Sequence, residues 1–77
     1  MITAYVNNQN TSVNHNTYQI RDTISGNVIN TPPVQGGQRY PFNCEDNDGT
    51  GDVWIKDLQS GSDVHFGFVQ NGENCNM

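Results

Sequence analysis

The sequence predicts an all-β domain: a small β-sandwich of two sheets built from about six short strands. Three observations carry this. Apolar residues recur with a period of two in short runs, and no segment shows the 3.6-residue period of an amphipathic helix. Gly, Pro, Asn and Asp separate the runs, as turn chemistry requires. One turn-centred pattern occurs twice, 35 residues apart. At 77 residues the chain is read as a single domain, 1–77, with a limited core.

The expected strands are residues 2–7, 17–23, 27–31, 38–44, 51–58 and 63–70. Tyr5 and Asn7 share one face of the first, with Ala4 and Val6 on the other, because side chains alternate along a strand. Residues 7–16 form an Asn-rich loop that contains His15. Pro32-Pro33 and Gly36-Gly37 break the chain at its middle and exclude helix there. Tyr40 and Phe42 fall on one side of their strand.

The repeated pattern is Ile20-Arg21-Asp22 with Ser25-Gly26, and Ile55-Lys56-Asp57 with Ser60-Gly61. Tyr5 and Asn8 match Tyr40 and Asn43 at the same offset, and Val28 matches Val64 with one residue inserted. This order describes a β-hairpin whose two-residue turn takes its positive φ from Gly. It suggests two duplicated hairpin-containing units, about 1–35 and 36–77. Centring the second turn on Ser60-Gly61 sets Ile55 opposite Phe66 and Val53 opposite Phe68. Val53, Ile55, Val64, Phe66 and Phe68 then form the core face, and Trp54, Lys56, His65 and Gly67 the other. In the first hairpin Ile20, Ile24 and Ile29 fall together.

Cys44 and Cys75 are the only cysteines. An even count in a short, Lys-poor chain predicts one disulfide and an oxidising, extracellular setting. Closing a loop of about 30 residues would stabilise the fold by roughly 3–4 kcal/mol on the chain-entropy model. No charged start followed by an apolar stretch is visible at Met1-Ile2-Thr3. A secreted origin therefore implies a removed leader or another exit route. A cytoplasmic or phage-encoded protein with reduced cysteines is the alternative.

Composition narrows the partners. The net charge is −5, and Arg21, Arg39 and Lys56 are the only cations besides the histidines. Three scattered cations make no phosphate-binding patch, so nucleic acid is not an expected partner. No apolar run approaches the roughly 20 residues of a bilayer span. Twelve Asn, six Gln, six Thr and four Ser give an amide- and hydroxyl-rich surface.

The densest chemical feature is Asp46-Asn47-Asp48-Gly49-Thr50-Gly51-Asp52-Val53, with Asp57 further on. Calcium takes about six to eight oxygens, and alternating Asp, Asn and Thr side chains around a Gly turn can supply them. The stretch resembles the calcium loop of EF-hand and dockerin proteins. On that resemblance Asp46, Asp48 and Thr50 take the first three side-chain ligand positions and Gly51 the turn glycine. Asp52 takes the carbonyl position, Val53 the apolar one and Asp57 the closing acid. The loop closes with Asp instead of Glu and its flanks look extended, so the paired-helix mechanism is not carried over. An acidic β-turn with no ion is the alternative.

Catalysis is not expected. Neither His15 nor His65 has a nucleophile implied by spacing, and paired carboxylates need a desolvating cleft for general-acid work. Cys44 and His65 could meet as a pair, but Cys44 is assigned to the disulfide. The expected binding surface is the non-core face of Trp54, Lys56 and His65, joined by Tyr18. Gly67 opposite Trp54 would leave its ring open to something flat. An aromatic ring among hydrogen-bonding groups suits a sugar or a protein hot spot. The expected function is a non-catalytic extracellular module that recognises glycans. The alternatives are an acidic antagonist of a protein partner, such as an enzyme inhibitor, and a structural piece of a larger assembly joined through edge strands.

Overall fold

The computed structural model describes residues 1–12 and 15–77. Val13 and Asn14, within the predicted loop 7–16, lie outside the described residues. Among the described residues nine strands follow in chain order: β1 Ile2–Asn7, β2 His15–Asn16, β3 Tyr18–Asp22, β4 Val28–Asn30, β5 Val34–Gln35, β6 Arg39–Cys44, β7 Thr50–Asp57, β8 Asp63–Gln70 and β9 Asn74–Asn76. The six expected strands are present within a residue or two. Three short ones, β2, β5 and β9, were not expected. They carry only two or three residues each, too few for any alternation to show.

The strands form sheets ordered β6-β1-β9, β2-β5 and β4-β3-β7-β8. The inner faces of the three- and four-stranded sheets share one apolar core. Ala4, Val6, Phe42, Cys44 and Cys75 enter it from one side; Tyr18, Ile20, Val53, Ile55 and Val69 enter from the other. Val34 on β5 closes one end. Among the described residues no helix is long and apolar enough to cross a membrane.

The two hairpins are alike, but their turns hold four residues, not two. Asp22 N donates to Asn27 O and Gly26 N to Asp22 O, while Asp57 N donates to Ser62 O and Gly61 N to Asp57 O. Gly26 and Gly61, at φ 80° and 82°, take the left-handed position that ends each turn. The longer turn moves the register by two residues. Ile55 pairs with Val64 and Val53 with Phe66. An even shift keeps each side chain on its predicted face, so the inward set survives except for Phe68. The equivalence across the hairpins is also a constant 35, Ile20 with Ile55 and Ile29 with Val64, with no inserted residue. Upstream the match fails: Tyr5 pairs with Pro41 on the outer face, whereas Tyr40 pairs with Val6 on the inner one.

Each turn aspartate does two jobs. Asp22 Oδ1 accepts from Ile24 N (3.0 Å) and Ser25 N (3.3 Å), and its Oδ2 accepts from Glu45 N (2.8 Å) on the link between β6 and β7. Asp57 Oδ1 accepts from Gln59 N (2.9 Å) and Ser60 N (3.3 Å), and its Oδ2 accepts from Asn16 Nδ2 (3.2 Å) on the link between β1 and β3. Burial alone would raise Asp22, but the hydrogen bonds from Glu45, Ser25 and Ile24 together hold it below the usual carboxylate range.

The predicted disulfide is absent; Cys44 and Cys75 are free thiols, both buried. The register explains why. Cys44 pairs with Ile2 and Cys75 with Val6, on opposite sides of β1. Their Cα atoms are thus offset by about 13 Å along the strand and about 10 Å across it. A disulfide needs a Cα separation of roughly 4.4–6.8 Å. The last segment is instead held as a parallel strand on β1, with Tyr5 N donating to Glu73 O and Met77 N to Asn7 O, both at 2.9 Å. The compartment argument loses this support. Gly51 leaves room for Cys44, since a Cβ there would lie 2.8 Å from its Sγ. Burial pushes the thiols up, Cys44 to about 11 and Cys75 to about 12.

Two outcomes follow. In the absence of reductant, both thiols should titrate with a thiol reagent only once the chain is denatured; failure to titrate in denaturant would restore the bond. Asp22 has a folded pKa depressed below its unfolded value of about 3.9, so its ionised form stabilises the fold above that pH. That stability is lost as pH falls through the folded pKa. Asp22→Asn should cost about 2 kcal/mol at neutral pH and flatten the acid limb of the stability profile in urea melts.

Candidate functional site

The outer face of the four-stranded sheet carries a row set by register. Arg21 on β3 pairs with Trp54 on β7, which pairs with His65 on β8. The Trp54 and His65 rings stack at 4.9 Å and 25°. The Arg21 guanidinium lies 5.9 Å from the Trp54 ring centre and reaches across to the Asp63 carboxylate at 2.6 Å. β3 and β8 flank β7 on opposite sides, so the indole is held between a cation and an imidazole. Its exposed 38% is therefore mostly edge. The residue opposite Trp54 is His65, not Gly67, and the ring is not open to a flat ligand. Lys56 is half-buried on this same face. Tyr18 is not: it points inward and is fully buried, its hydroxyl without a well-formed hydrogen bond among the described residues. Burial pushes its pKa up.

Beside the row, Asp52 on β7 joins β8 and the first hairpin turn. His65 Nε2 lies 2.7 Å from Asp52 Oδ1, and Thr23 Oγ1 donates to Asp52 Oδ2 at 2.6 Å. The Thr23 hydroxyl, with His65 beside it, holds the Asp52 carboxyl below the usual range. This is a carboxylate fixed in orientation, with an imidazole on one oxygen and a hydroxyl on the other. The hydroxyl contacts the carboxylate and not the imidazole, which differs from a serine–histidine–aspartate relay. Cys44 lies on the inner layer and His65 on the outer, so they do not form a pair.

Asp52 also sits at the one irregularity of β7–β8. Between the pairs Gly51–Val69 and Val53–Phe66, it faces two residues, Gly67 and Phe68. Phe68 takes up the excess with φ 53°, a left-handed conformation that costs an aromatic residue roughly 1–2 kcal/mol. The bulge turns its ring out of the core, where the alternation had placed it, and leaves it 83% exposed. Phe68 and Ile24, from the first hairpin turn, rim a concavity of about 250 Å³. Asn47, Thr50, Asp52 and His65 supply its polar wall.

The acidic loop is organised as a tight turn. Asp48 and Gly49, at φ 54° and 87°, form the paired left-handed centre of a type I′ turn. Asn47 and Thr50 exchange backbone hydrogen bonds across it. The carboxylates go to separate partners. Asp46 accepts from the Met1 ammonium (2.6 Å) and Gly49 N (3.1 Å), Asp52 binds Thr23 and His65, and Asp57 caps its own turn. Thr50 Oγ1 donates to Asn47 O at 3.1 Å. Among the described residues no three His, Cys, Asp or Glu gather as a metal-holding group.

The chain's site thus differs from the predicted one in membership. Trp54, Lys56 and His65 do share a face, but Arg21, Thr23, Ile24 and Phe68 were not foreseen. Reading Asp-x-x-Ser-Gly as a four-residue turn would have set His65 opposite Trp54, whereas Arg21 meets Trp54 through the β3–β7 pairing, which no turn length sets. Nothing in the sequence marks Phe68 as the residue that leaves the core. Comparison with known families, known proteins and solved structures finds no match to this chain.

His65→Ala should remove the stack and one Asp52 contact, costing about 1 kcal/mol in urea melts. It should also shift Trp54 emission to longer wavelength. Unchanged emission would show that the imidazole does not cover the indole.

Proposed function

We propose that this chain is a non-catalytic binding domain that seats Phe68 in an apolar pocket of a positively charged protein partner. Phe68 carries this reading. A large ring held in strained backbone and left almost wholly in water contributes nothing to the isolated fold. Strain of this kind persists where a partner makes use of it. An aromatic anchor at the centre of a contact, with weaker contacts around it, is how protein interfaces concentrate their energy. Ile24, 40% exposed, extends the apolar patch. Asp52 sets negative charge beside it on a chain of net charge −5, which favours a basic partner and steers its approach.

A saccharide in the adjoining concavity is the alternative, favoured by the mixed lining of Asn47, Thr50, Asp52 and His65 with the Phe68 ring at the rim. One variant separates scaffold from contact. Phe68→Gly should relieve the left-handed strain and stabilise the fold by about 1 kcal/mol. It should at the same time abolish capture of the protein partner from an extract of the source cells. Loss of stability would give the ring a structural role instead. Retained capture would remove Phe68 as the anchor, and glycan-array binding that depends on Asp52 and Asn47 would favour the sugar.

A further inference from the structure

The outer face of the three-stranded sheet has a different chemistry. Thr3, Tyr5 and Asn7 from β1 stand there beside Arg39, Pro41 and Asn43 from β6 and Asn74 and Asn76 from β9. Arg39 is the only ionisable cation on it, and no carboxylate side chain shares it. The guanidinium carbon lies 4.0 Å from the centre of the Tyr5 ring, and Nη1 donates to Asn74 Oδ1 at 3.0 Å. Among the described residues Arg39 makes no ion pair, in a chain with eight acidic residues and three Lys+Arg. Arg21 is paired with Asp63 and the Met1 ammonium with Asp46, while Lys56, half-buried on the other sheet, likewise makes no ion pair among the described residues. The carboxylate nearest in sequence to this face, Glu73, accepts from Gln70 N at 3.1 Å.

The amides around Arg39 are oriented by one another. Asn7 Nδ2 donates to Asn76 Oδ1 at 2.9 Å, and Thr3 Oγ1 donates to Asn43 Oδ1 at 2.7 Å. Asn74 Oδ1 is taken by Arg39. In each case the oxygen is used and an NH₂ group is left over, on Asn76, Asn43 and Asn74. The face therefore offers a guanidinium fork and several amide donors, all seeking oxygen. Within its strands it shows no large exposed apolar side chain: Met1, 74% exposed, precedes β1, and Ile24, Val28, Ile29, Trp54, Leu58, Val64 and Phe68 lie on the other sheet or its turns. A protein hot spot needs such an anchor, and a polyhydroxylated ligand does not.

We propose that this face binds a uronate-bearing saccharide, with its carboxylate on Arg39 and its hydroxyls on the Asn74, Asn76 and Asn43 amides. The stack on Tyr5 and the bond to Asn74 hold the guanidinium in place before binding, so little side-chain entropy is lost. One fixed guanidinium matches one planar carboxylate. A protein of net charge −5 disfavours every added anion, and a densely sulfated chain, with more charge per sugar than a uronate, most. The site is independent of Phe68, on the opposite layer.

Titration of the full chain with a galacturonate trimer, followed by backbone amide shifts and calorimetry, tests this. Binding should move the amides of Arg39, Asn7 and Asn74 and weaken with added salt. The neutral methyl ester should bind about ten-fold more weakly or not at all. Arg39→Gln should cause the same loss with its melting temperature unchanged, and Arg39→Lys should recover only part of it, having charge without a fork. Tyr5→Leu, which frees the guanidinium, should weaken binding several-fold. Phe68→Gly should bind the trimer as the unaltered chain does, which keeps this site distinct from the protein-docking surface. Equal binding of acid and ester, indifference to Arg39→Gln, a preference for a sulfated disaccharide, or equal binding of acetate alone would each overturn the proposal.

Discussion

The architecture depends on a reciprocal pair of carboxylates. Asp22 and Asp57 each end a strand, cap the following turn with Oδ1, and give Oδ2 to the crossover of the other half of the chain. The backbone repeats this exchange: Thr23 N donates to Asp52 O, and Leu58 N donates to Thr17 O. Strand order shows the same balance. β3 and β7 pair at the centre of their sheet with β4 and β8 outside them, and β1 and β6 pair above. A small domain has little apolar surface to bury, so the directional bonds that lock one half to the other count for more. Asp22 is the more deeply placed of the two, and its ionised form needs all three of its backbone donors.

The candidate protein-docking site lies where this balance fails. β4 has three residues and its counterpart β8 has eight. The extra length of β8 has no equivalent in the first half, and within it one residue too many faces Asp52. The ladder resolves the excess by a bulge, and the bulge expels Phe68. The same end of β7 receives the Asp48-Gly49 turn and the first hairpin turn with Ile24. Two turns and the bulge of β8 converge there, at one side of the sheet. The concavity is a product of that convergence, and its polar wall is held by Asp52, whose two oxygens are fixed by groups from β8 and the first turn.

Much of this was legible in the residues. Alternation located all six longer strands, the face of each inward residue from Val53 to Phe66, and the outward set of Trp54, Lys56 and His65. The repeat at 35 residues located the two hairpins. What escaped had physical causes. A strand of two residues, such as β5 between Pro33 and Gly36, has no period to detect. A turn length changes register by an even number without altering any face, so the error in the hairpin centre was silent except at the bulge. The cysteine count spoke for a bridge because spacing in sequence carries no information on register. Only the placement of β1 between β6 and β9 separates Cys44 from Cys75. Tyr18 was harder still, since a tyrosine suits either face and only the neighbouring strand decides.

The two outer faces differ in chemistry. On the four-stranded sheet Arg21 is spent internally, on Asp63 and the Trp54 ring, and the most exposed large side chain is the apolar Phe68. On the three-stranded sheet the cation Arg39 is stacked but unpaired, and the free chemistry is polar donors. A single shared core lies between them, about 10 Å thick in facing sheets. Ligands on opposite sides of such a layer touch no common side chain, and coupling between them would have to pass through packed apolar residues that have one arrangement each. The symmetric scaffold thus supplies two surfaces of opposite character, and each can change its contacts without the other giving way.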